Sequence, residues 1–178
     1  MLQQALAKLL ETKGFDQISV QDVAEQATVN RATFYDHYND KFALLQCLVG
    51  SRFHELLAER EVHFDGSCGG VLEAIALTVC EYLTQMQGPD RSRPLEPHME
   101  SAVIAVLRQI LLGGLEKHPP QNGVAAEIVA ATASWAIYGA AQEWAQTPGR
   151  SAPEELARTV MLLVAPILHL GQAEVPTK

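Results

Sequence analysis

The stretch ISVQDVAEQATVNRATFYDHYNDKFALL, residues 18–45, decides the fold because capping residues punctuate it at short intervals. Ser19 is a candidate N-cap, and Asp22 three residues later completes an acidic variant of the capping box. Asn30 can cap a second helix and Asp40 a third. The spacing predicts two short helices across a tight turn, followed by a third helix, which is the helix-turn-helix arrangement.

Apolar residues recur at helical spacing within these three helices, so each helix has a side that can turn inward. On the first helix the expected inward residues are Val20, Val23, Ala24 and Ala27. On the second they are Ala32, Phe34 and Tyr38, interleaved with polar Arg31, Thr33, Tyr35 and His37. On the third they are Phe42, Leu44, Leu45 and Leu48. The second helix therefore has a core-facing side and an outward side.

Residues 29–45 resemble the recognition-helix signature of the TetR/AcrR (tetracycline-repressor) family of bacterial transcription regulators. The preceding elements fit as well: an apolar helix, then Gly14 to end it and Phe15 to fill the three-helix core. The resemblance implies an all-α fold. It further implies a three-helix DNA-binding domain at residues 1–46 and a helical bundle for ligand sensing and dimerisation at residues 47–178.

Thr28 departs from the family pattern, which usually has glycine at this turn. A β-branched residue tolerates a left-handed backbone poorly. Either the turn is shifted along the chain, or it is strained at Thr28.

The charge of the amino-terminal segment is the second departure. Residues 1–45 contain four basic residues, Lys8, Lys13, Arg31 and Lys41. They contain six acidic residues, Glu11, Asp16, Asp22, Glu25, Asp36 and Asp40. This balance is unfavourable for binding a polyanion. Because family members generally begin with a basic arm, we expect basic residues upstream of Met1.

Length, hydrophobic content, net charge and cysteine usage indicate which classes of protein this sequence fits. A chain of 178 residues with 48% hydrophobic content can bury a core and an interface besides. A net charge of −8 argues against indiscriminate binding to nucleic acid or membranes. The longest apolar segment, residues 124–141, is interrupted by polar residues and indicates a buried helix rather than a membrane span. The amphipathic amino terminus is unlike a signal peptide, and three unpaired cysteines favour a reducing compartment, so we expect a cytoplasmic protein.

The last two helices are the expected dimer interface. Helix seven, about residues 124–146, is apolar nearly all round and needs partners on both sides. One side carries Ile128, Ala131, Trp135 and Tyr138, and another carries Val129, Thr132, Ala136, Ala140 and Trp144. Helix eight has an expected buried stripe, Leu156, Val160, Leu163, Ile167 and Leu170, and a second stripe, Met161, Val164 and Leu168. Two copies would form a four-helix bundle across a twofold axis; alternatively, one chain's own helices cover both sides.

A set of polar residues is expected to contact a palindromic double-stranded operator, and we call it the DNA-binding set: Gln21, Asn30, Arg31, Thr33, Tyr35, His37 and Lys41. Residues near the start of the recognition helix would reach base edges or nearby phosphates, and Arg31 could pair bidentately with guanine. The resemblance assigns phosphate contacts to Tyr35, His37 and Lys41. The alternatives are ordinary surface charge for Arg31 and Lys41, and packing against the next helix for Tyr35 and His37.

The resemblance also implies that a small molecule, hydrophobic by the character of the residues around it, releases DNA when it fills the bundle. The candidate pocket residues, which we call the effector set, are Tyr82, Met86, Met99, Leu107, Leu111, Trp135 and Tyr138. An aromatic and methionine stripe at helical spacing also suits an ordinary core. No metal-ligand spacing, phosphate loop or nucleophile motif is present, so we expect no cofactor, no metal and no enzymatic activity.

Two classes of function fit this sequence. The favoured one is a ligand-responsive dimeric transcription repressor. The alternative is a helical ligand-binding or protein-interaction bundle whose helix-turn-helix has little DNA affinity.

Overall fold

The computed structural model describes residues 1–59, 68–87, 97–117, 119–120 and 123–168. All regular structure within these ranges is helical, which confirms the all-α prediction. The α-helices are α1 (Leu2–Leu10), α2 (Val20–Gln26), α3 (Arg31–His37), α4 (Lys41–Glu59), α5 (Cys68–Gln87), α6 (Pro97–Lys117), α7 (Ala126–Gln146) and α8 (Pro153–Leu168). A 3-10 turn at Phe15–Gln17 separates α1 from α2.

The three predicted caps are present. At α2 the Asp22 N–H donates to Ser19 Oγ over 3.1 Å, and the Ser19 N–H donates back to Asp22 Oδ2 over 2.8 Å, which completes the capping box. At α3 the Thr33 N–H donates to Asn30 Oδ1 over 2.8 Å. At α4 the Ala43 N–H donates to Asp40 Oδ1 over 2.7 Å. Local capping therefore sets where each of these helices begins.

The turn between α2 and α3 is left-handed at Thr28, with a φ of 59°. The Val29 N–H donates to Ala24 O over 2.9 Å, and the Thr28 N–H donates to Glu25 O over 3.0 Å. These two hydrogen bonds form a Schellman motif with Thr28 at the position that glycine usually takes. Of the two alternatives for this turn, the strained one is correct.

The chain forms two compact units. The first unit comprises Met1–His54 and Leu95–Val106, and the second comprises Glu55–Pro94 and Leu107–Lys178. In the first unit, α1 packs on α2 and α2 on α3, around a core that includes Leu6, Phe15 and Phe34. In the second, α5, α7 and α8 pack pairwise. The sequence placed a boundary after residue 46, which lies inside α4.

Several predicted boundaries and faces differ from the structure. Helix α1 ends at Leu10 rather than at Gly14. Phe42 was expected inward but is 47% exposed, and Leu163 was expected in the buried stripe of α8 but is 65% exposed. The residues of α8 that are buried are Ala157, Val160 and Val164. Leu170, the last residue of the expected buried stripe of helix eight, lies outside the described residues.

Among the described helices, α6 alone has the length and apolar composition that a membrane crossing needs. Of the most apolar 18-residue stretch of α6, 44% is buried within the molecule. A core helix of a soluble protein meets the same two criteria.

Candidate nucleic-acid interface

Helix α3 is attached to its unit by one buried side chain. Phe34 is 0% exposed and is the buried residue of this helix. Its ring lies edge-on to Tyr35 at 5.4 Å and tilted to Tyr38 at 6.0 Å, centroid to centroid. Arg31, Ala32, Tyr35, Asp36 and His37 are exposed, and Thr33 is half-buried. Most of the surface of α3 is thus open for contact with a partner.

Ala32 was expected on the inward side and is exposed instead. An α-helix rotates by about 100° per residue, so a residue two positions from Phe34 lies on the far side of α3. The same count places Asp36, which the sequence analysis left out of the DNA-binding set, on that far side. The position of Phe34 on the helix would have revealed both residues.

Asn30 and Thr33 of the DNA-binding set are bonded to one another. Besides the capping bond, the Thr33 hydroxyl donates to Asn30 Oδ1 over 3.1 Å. The amide oxygen of Asn30 therefore belongs to the cap, while its amide NH₂ group is the donor that the side chain can offer to a base or phosphate.

Arg31 and Tyr35 lie one turn apart on α3 and are also in contact. Arg31 Nη2 is 3.4 Å from the Tyr35 hydroxyl, and the guanidinium carbon is 5.9 Å from the Tyr35 ring centroid. This contact restricts the long Arg31 side chain to one side of the helix. On α2, Gln21 Nε2 donates to Glu25 Oε1 over 2.6 Å. Gln21 is exposed and at the start of α2, and His37 is exposed in the last turn of α3.

Lys41 is bound within the protein. Its ammonium donates to the carbonyl oxygens of Phe15 at 3.0 Å, Asp16 at 3.4 Å and Ile18 at 2.8 Å. It also lies 4.6 Å from the Phe15 ring centroid. A lysine ammonium has three N–H donors, so these three carbonyls can occupy all of them. Lys41 thereby fastens the start of α4 to the 3-10 turn, and a phosphate contact would have to displace one of the carbonyls.

An aromatic cluster surrounds this lysine. The rings of Phe15, Phe42 and His98 lie 5.1 to 5.5 Å apart, centroid to centroid. His98 Nε2 is 2.9 Å from Asp16 Oδ1, which connects the first turn of α6 to the 3-10 turn. These contacts lie within the first unit, where they hold the segment ahead of α2 in place.

The capping box of α2 also lowers the pKa of Asp22. Hydrogen bonds from the Ser19 hydroxyl, the Ser19 N–H and Lys13 lower the pKa of Asp22 from 3.8 to about 2. The Lys13 ammonium lies 3.3 Å from Asp22 Oδ1. Asp22 is therefore an anion at the start of α2 at neutral pH, where a helix end favours negative charge.

The effector set is not gathered in one place. Tyr82, Leu107, Leu111 and Tyr138 are buried in the second unit. Met99 is buried in the first unit. Met86 is 44% exposed and Trp135 is 58% exposed, unlike the five buried members of the set. Trp135 lies on an exposed side of α7, which periodicity alone could not distinguish from the buried side.

The second unit contains an open cleft of about 920 Å³ between α5 and the segment that joins α7 to α8. Its lining includes Leu77, Thr84, Trp144, Pro148 and Arg150. The Arg150 guanidinium lies 3.9 Å from the Trp144 ring centroid and donates to Thr84 Oγ1 over 3.2 Å. None of the effector set is among the described residues that line this cleft.

Within the described ranges, no group of three or more histidine, cysteine, aspartate or glutamate side chains could hold a metal ion. Cys80 is buried and Cys47 is exposed. Gln3 Nε2 lies 3.0 Å from Cys47 Sγ, and the Tyr38 hydroxyl lies 3.7 Å from the same sulfur. Burial, followed by the contact with Cys47, raises the pKa of Tyr38.

The amino-terminal residues are similar to a known family of DNA-binding domains. The family model of the bacterial regulatory proteins of the tetR family matches residues 2–48, which span α1 to the first part of α4. A search of curated proteins found no match.

Solved structures share the fold over nearly the whole chain. A TetR-family transcriptional regulator from Streptomyces coelicolor is 22% identical, with a TM-score of 0.53 over 94% of this chain and 95% of that one. A TetR transcriptional regulator from Streptococcus agalactiae 2603V is 19% identical, with a TM-score of 0.52 over 92% and 90% of the two chains. A TetR-family protein from Syntrophomonas wolfei is 16% identical, with a TM-score of 0.52 over 98% and 95%. Residues 2–48 of this chain therefore match the amino-terminal domain of the tetR family of bacterial regulatory proteins, and the whole chain has a fold similar to that of solved TetR regulators.

Proposed function

We propose that the chain is a ligand-responsive dimeric transcriptional regulator that represses by binding a palindromic operator. The observation that carries this proposal is the exposure of α3. Phe34 is the buried side chain of this helix, whereas Arg31, Ala32, Tyr35, Asp36 and His37 are exposed and available to a groove. A helix that projects in this way from a helix-turn-helix domain suits the width of the major groove of B-DNA.

The DNA-binding set divides by chemistry into base-reading and phosphate-binding residues. Arg31 has a planar fork of donors that matches guanine O6 and N7, and its contact with Tyr35 limits the directions it can take. Tyr35 and His37 are exposed and offer polar groups to phosphates, as does Gln21 at the start of α2. Lys41 contributes by fixing the start of α4, and it reaches phosphate only by leaving a carbonyl.

Exposed apolar side chains on α7 and α8 support the dimer. Ile128 and Trp135 of α7 are 60% and 58% exposed, and Leu162 and Leu163 of α8 are 72% and 65% exposed. These two helices pack on each other, so the exposed residues belong to neighbouring surfaces. Large apolar side chains on adjoining helices are costly in water and are typical of an interface. Gly139, exposed on α7, permits close approach of a second helix.

A twofold dimer would present two copies of α3 to one side of a duplex. Operator half-sites one helical turn apart, about 34 to 36 Å or somewhat more, would then be read simultaneously. This requirement makes the operator a palindrome, because a twofold axis relates the two reading helices.

The effector in this proposal is a hydrophobic small molecule bound in the second unit. The buried members of the effector set in that unit are Tyr82, Leu107, Leu111 and Tyr138. The open cleft beside Trp144 offers a second candidate position, with apolar and polar lining residues. A ligand changes operator affinity only if it binds one arrangement of the chain better than the other. The proposal includes a cytoplasmic location and no catalytic activity.

The rival function is a ligand-binding or interaction bundle whose helix-turn-helix has little DNA affinity. The acidic balance of residues 1–45 and the strained turn at Thr28 favour it. The two functions differ in how binding responds to salt and to sequence.

The experiment is selection of an operator from random duplex DNA by the full chain, followed by titration at several salt concentrations. A regulator should select a palindrome, and the logarithm of its association constant should fall with the logarithm of salt by about 0.9 per phosphate contacted. Arg31→Ala should reduce discrimination against mismatched sites by about 1 to 3 kcal/mol. Lys8→Ala, which removes an exposed cation on α1, is the matched control.

The outcome that contradicts the proposal is equal binding of all sequences at low salt. That result would favour the rival function, because an inactive helix-turn-helix has no sequence preference.

A further inference from the structure

We propose that Asp36 is a specificity-determining residue, which requires a cytosine in each operator half-site by accepting a hydrogen bond from the cytosine amino group. This inference rests on the proposed function. It concerns the side of α3 opposite Phe34, which we call the reading face and define as Ala32 and Asp36.

The geometry of α3 puts the reading face at its centre. Phe34 is fully buried and so fixes which side of α3 faces the domain. At about 100° per residue, Ala32 and Asp36 each lie about 160° from Phe34 around the helix axis, in opposite senses. Both are exposed. They are four residues apart, so they follow one another along the same outward line.

The four members of the DNA-binding set that belong to α3 flank this face on both sides. Arg31 and Tyr35 lie on one flank of α3, and Thr33 and His37 lie on the other. Residues on the flanks of a helix in the major groove are nearest the two phosphate walls, while the central line faces the base edges. Tyr35 and His37, which are expected to hold phosphates, therefore lie on the flanks, and Asp36 lies on the central line that faces the bases. Arg31 also starts from a flank, and its long side chain can extend from there to a base edge.

A carboxylate in this position limits what can lie opposite it. Phosphate oxygens, guanine O6 and N7, and thymine O4 are all acceptors and repel an anion. Cytosine N4 is an amino donor, and acceptance of its hydrogen bond is the usual way in which aspartate reads a base. Adenine also has an amino donor, but its neighbouring N7 is an acceptor that faces the second carboxylate oxygen. Cytosine is thus the base that satisfies Asp36 best.

The neighbouring charges leave the carboxylate available. Arg31 and Asp36 are five residues apart in sequence, whereas side chains that meet on a helix surface are three or four residues apart. The Arg31 guanidinium instead contacts Tyr35, with Nη2 3.4 Å from the Tyr35 hydroxyl. Within the described part of the chain, no side chain forms an ion pair with Asp36. Ala32, the other residue of the reading face, adds a methyl group that can contact a thymine methyl but cannot neutralise a charge.

This assignment gives the acidic balance of residues 1–45 a function. An anion on the reading face weakens binding to every sequence, and the amino group of the correct base offsets that loss. Asp36 would therefore act chiefly by exclusion: sites without cytosine opposite it are penalised.

The test compares operators selected from random duplex DNA by the full wild-type chain, by Asp36→Asn and by Asp36→Ala. The wild type should select a cytosine at one position of each half-site. Replacement of that cytosine should weaken wild-type binding by at least about fivefold, as expected for one mismatched base pair. Both variants should lose preference at that position and retain it elsewhere.

Glu11→Gln is the matched control, since it removes one exposed negative charge after α1. It should leave the selected sequence unchanged. The inference is overturned if Asp36→Asn selects the same half-site as the wild type, because Asp36 is then an ordinary surface charge. If the wild type selects no sequence even at low salt, the proposed function itself fails, and the two failures are distinguishable.

Discussion

Thr28 holds a backbone conformation that its side chain disfavours. A non-glycine residue in the left-handed region costs about 1 to 2 kcal/mol, and a β-branched side chain adds crowding. Thr28→Gly should remove this strain but increase the entropy of the unfolded chain, which offsets about 0.4 to 1 kcal/mol. We expect a net gain in the free energy of unfolding of up to about 1 kcal/mol, measured by urea denaturation.

Thr28→Asn provides the second measurement for this turn. Asparagine tolerates the left-handed region without the added flexibility of glycine, so it should stabilise the chain at least as well. If both variants are less stable than the wild type, the Thr28 side chain makes a favourable contact that outweighs its strain.

Asp22 should make stability depend on pH in the acid range. Because its pKa falls from 3.8 to about 2 on folding, its contribution is complete above pH 3.8 and is lost as pH falls through about 2. The difference in free energy of unfolding between the wild type and Asp22→Ala should be constant at neutral pH and narrow below 3.8. Denaturation at a series of pH values measures it, and a difference that persists unchanged at pH 2 would contradict the assignment.

Ser19 tests the same capping box without altering charge. Ser19→Ala should cost about 1 kcal/mol of stability, because the N–H of Asp22 loses its acceptor. Thr12→Ala, at an exposed turn residue outside any capping box, is a suitable control in the same denaturation experiment.

At the scale of elements, Lys41 connects α4 to the 3-10 turn. Lys41→Met keeps most of the aliphatic chain and removes the ammonium that three carbonyls share. We expect a loss of about 1.5 to 3 kcal/mol in the stability of the first unit, as for hydrogen bonds made by charged groups. Lys8→Met is the control because Lys8 is exposed on α1. Hydrogen exchange of the amides of α2 and α4 distinguishes this loosening from a simple loss of phosphate contact.

Equal protection of those amides in Lys41→Met and the wild type would show that the three carbonyl contacts are dispensable. Lys41 would then act on DNA only as a surface cation, as the sequence alone predicted.

The elements that the sequence predicted well are those fixed by local chemistry. Ser19, Asn30 and Asp40 start their helices because a side-chain oxygen next to free N–H groups is a short-range signal. The faces of α3 and α8 were predicted less well. Ala32 and Leu163 are apolar and at helical spacing, yet both are exposed, because which apolar stripe is covered depends on neighbouring helices. The inward turn of Lys41 likewise depends on carbonyls about 25 residues earlier.

At the scale of the whole molecule, the exposed apolar residues of α7 and α8 predict concentration-dependent assembly. Trp135→Glu combined with Leu163→Glu should place charges in the proposed interface, so that the variant sediments as a monomer where the wild type sediments as the proposed dimer. Loss of the second reading helix should weaken binding to the selected palindrome by about 100-fold.

Met86→Glu is the matched control for the interface, since Met86 is 44% exposed but lies on α5. It should leave the chain dimeric. If the double variant sediments as the wild type does, these α7 and α8 residues lie outside the interface.

The inward position of Lys41 has a consequence for how such a protein would find its target in a genome. Because this ammonium must leave a main-chain carbonyl before it can contact a phosphate, it contributes little to the sequence-independent ionic binding that lets many regulators slide along DNA. With Asp36 facing outward, that binding weakens again. The search would then proceed by repeated three-dimensional collisions, and the time to locate a target would depend on copy number more than on the length of flanking DNA.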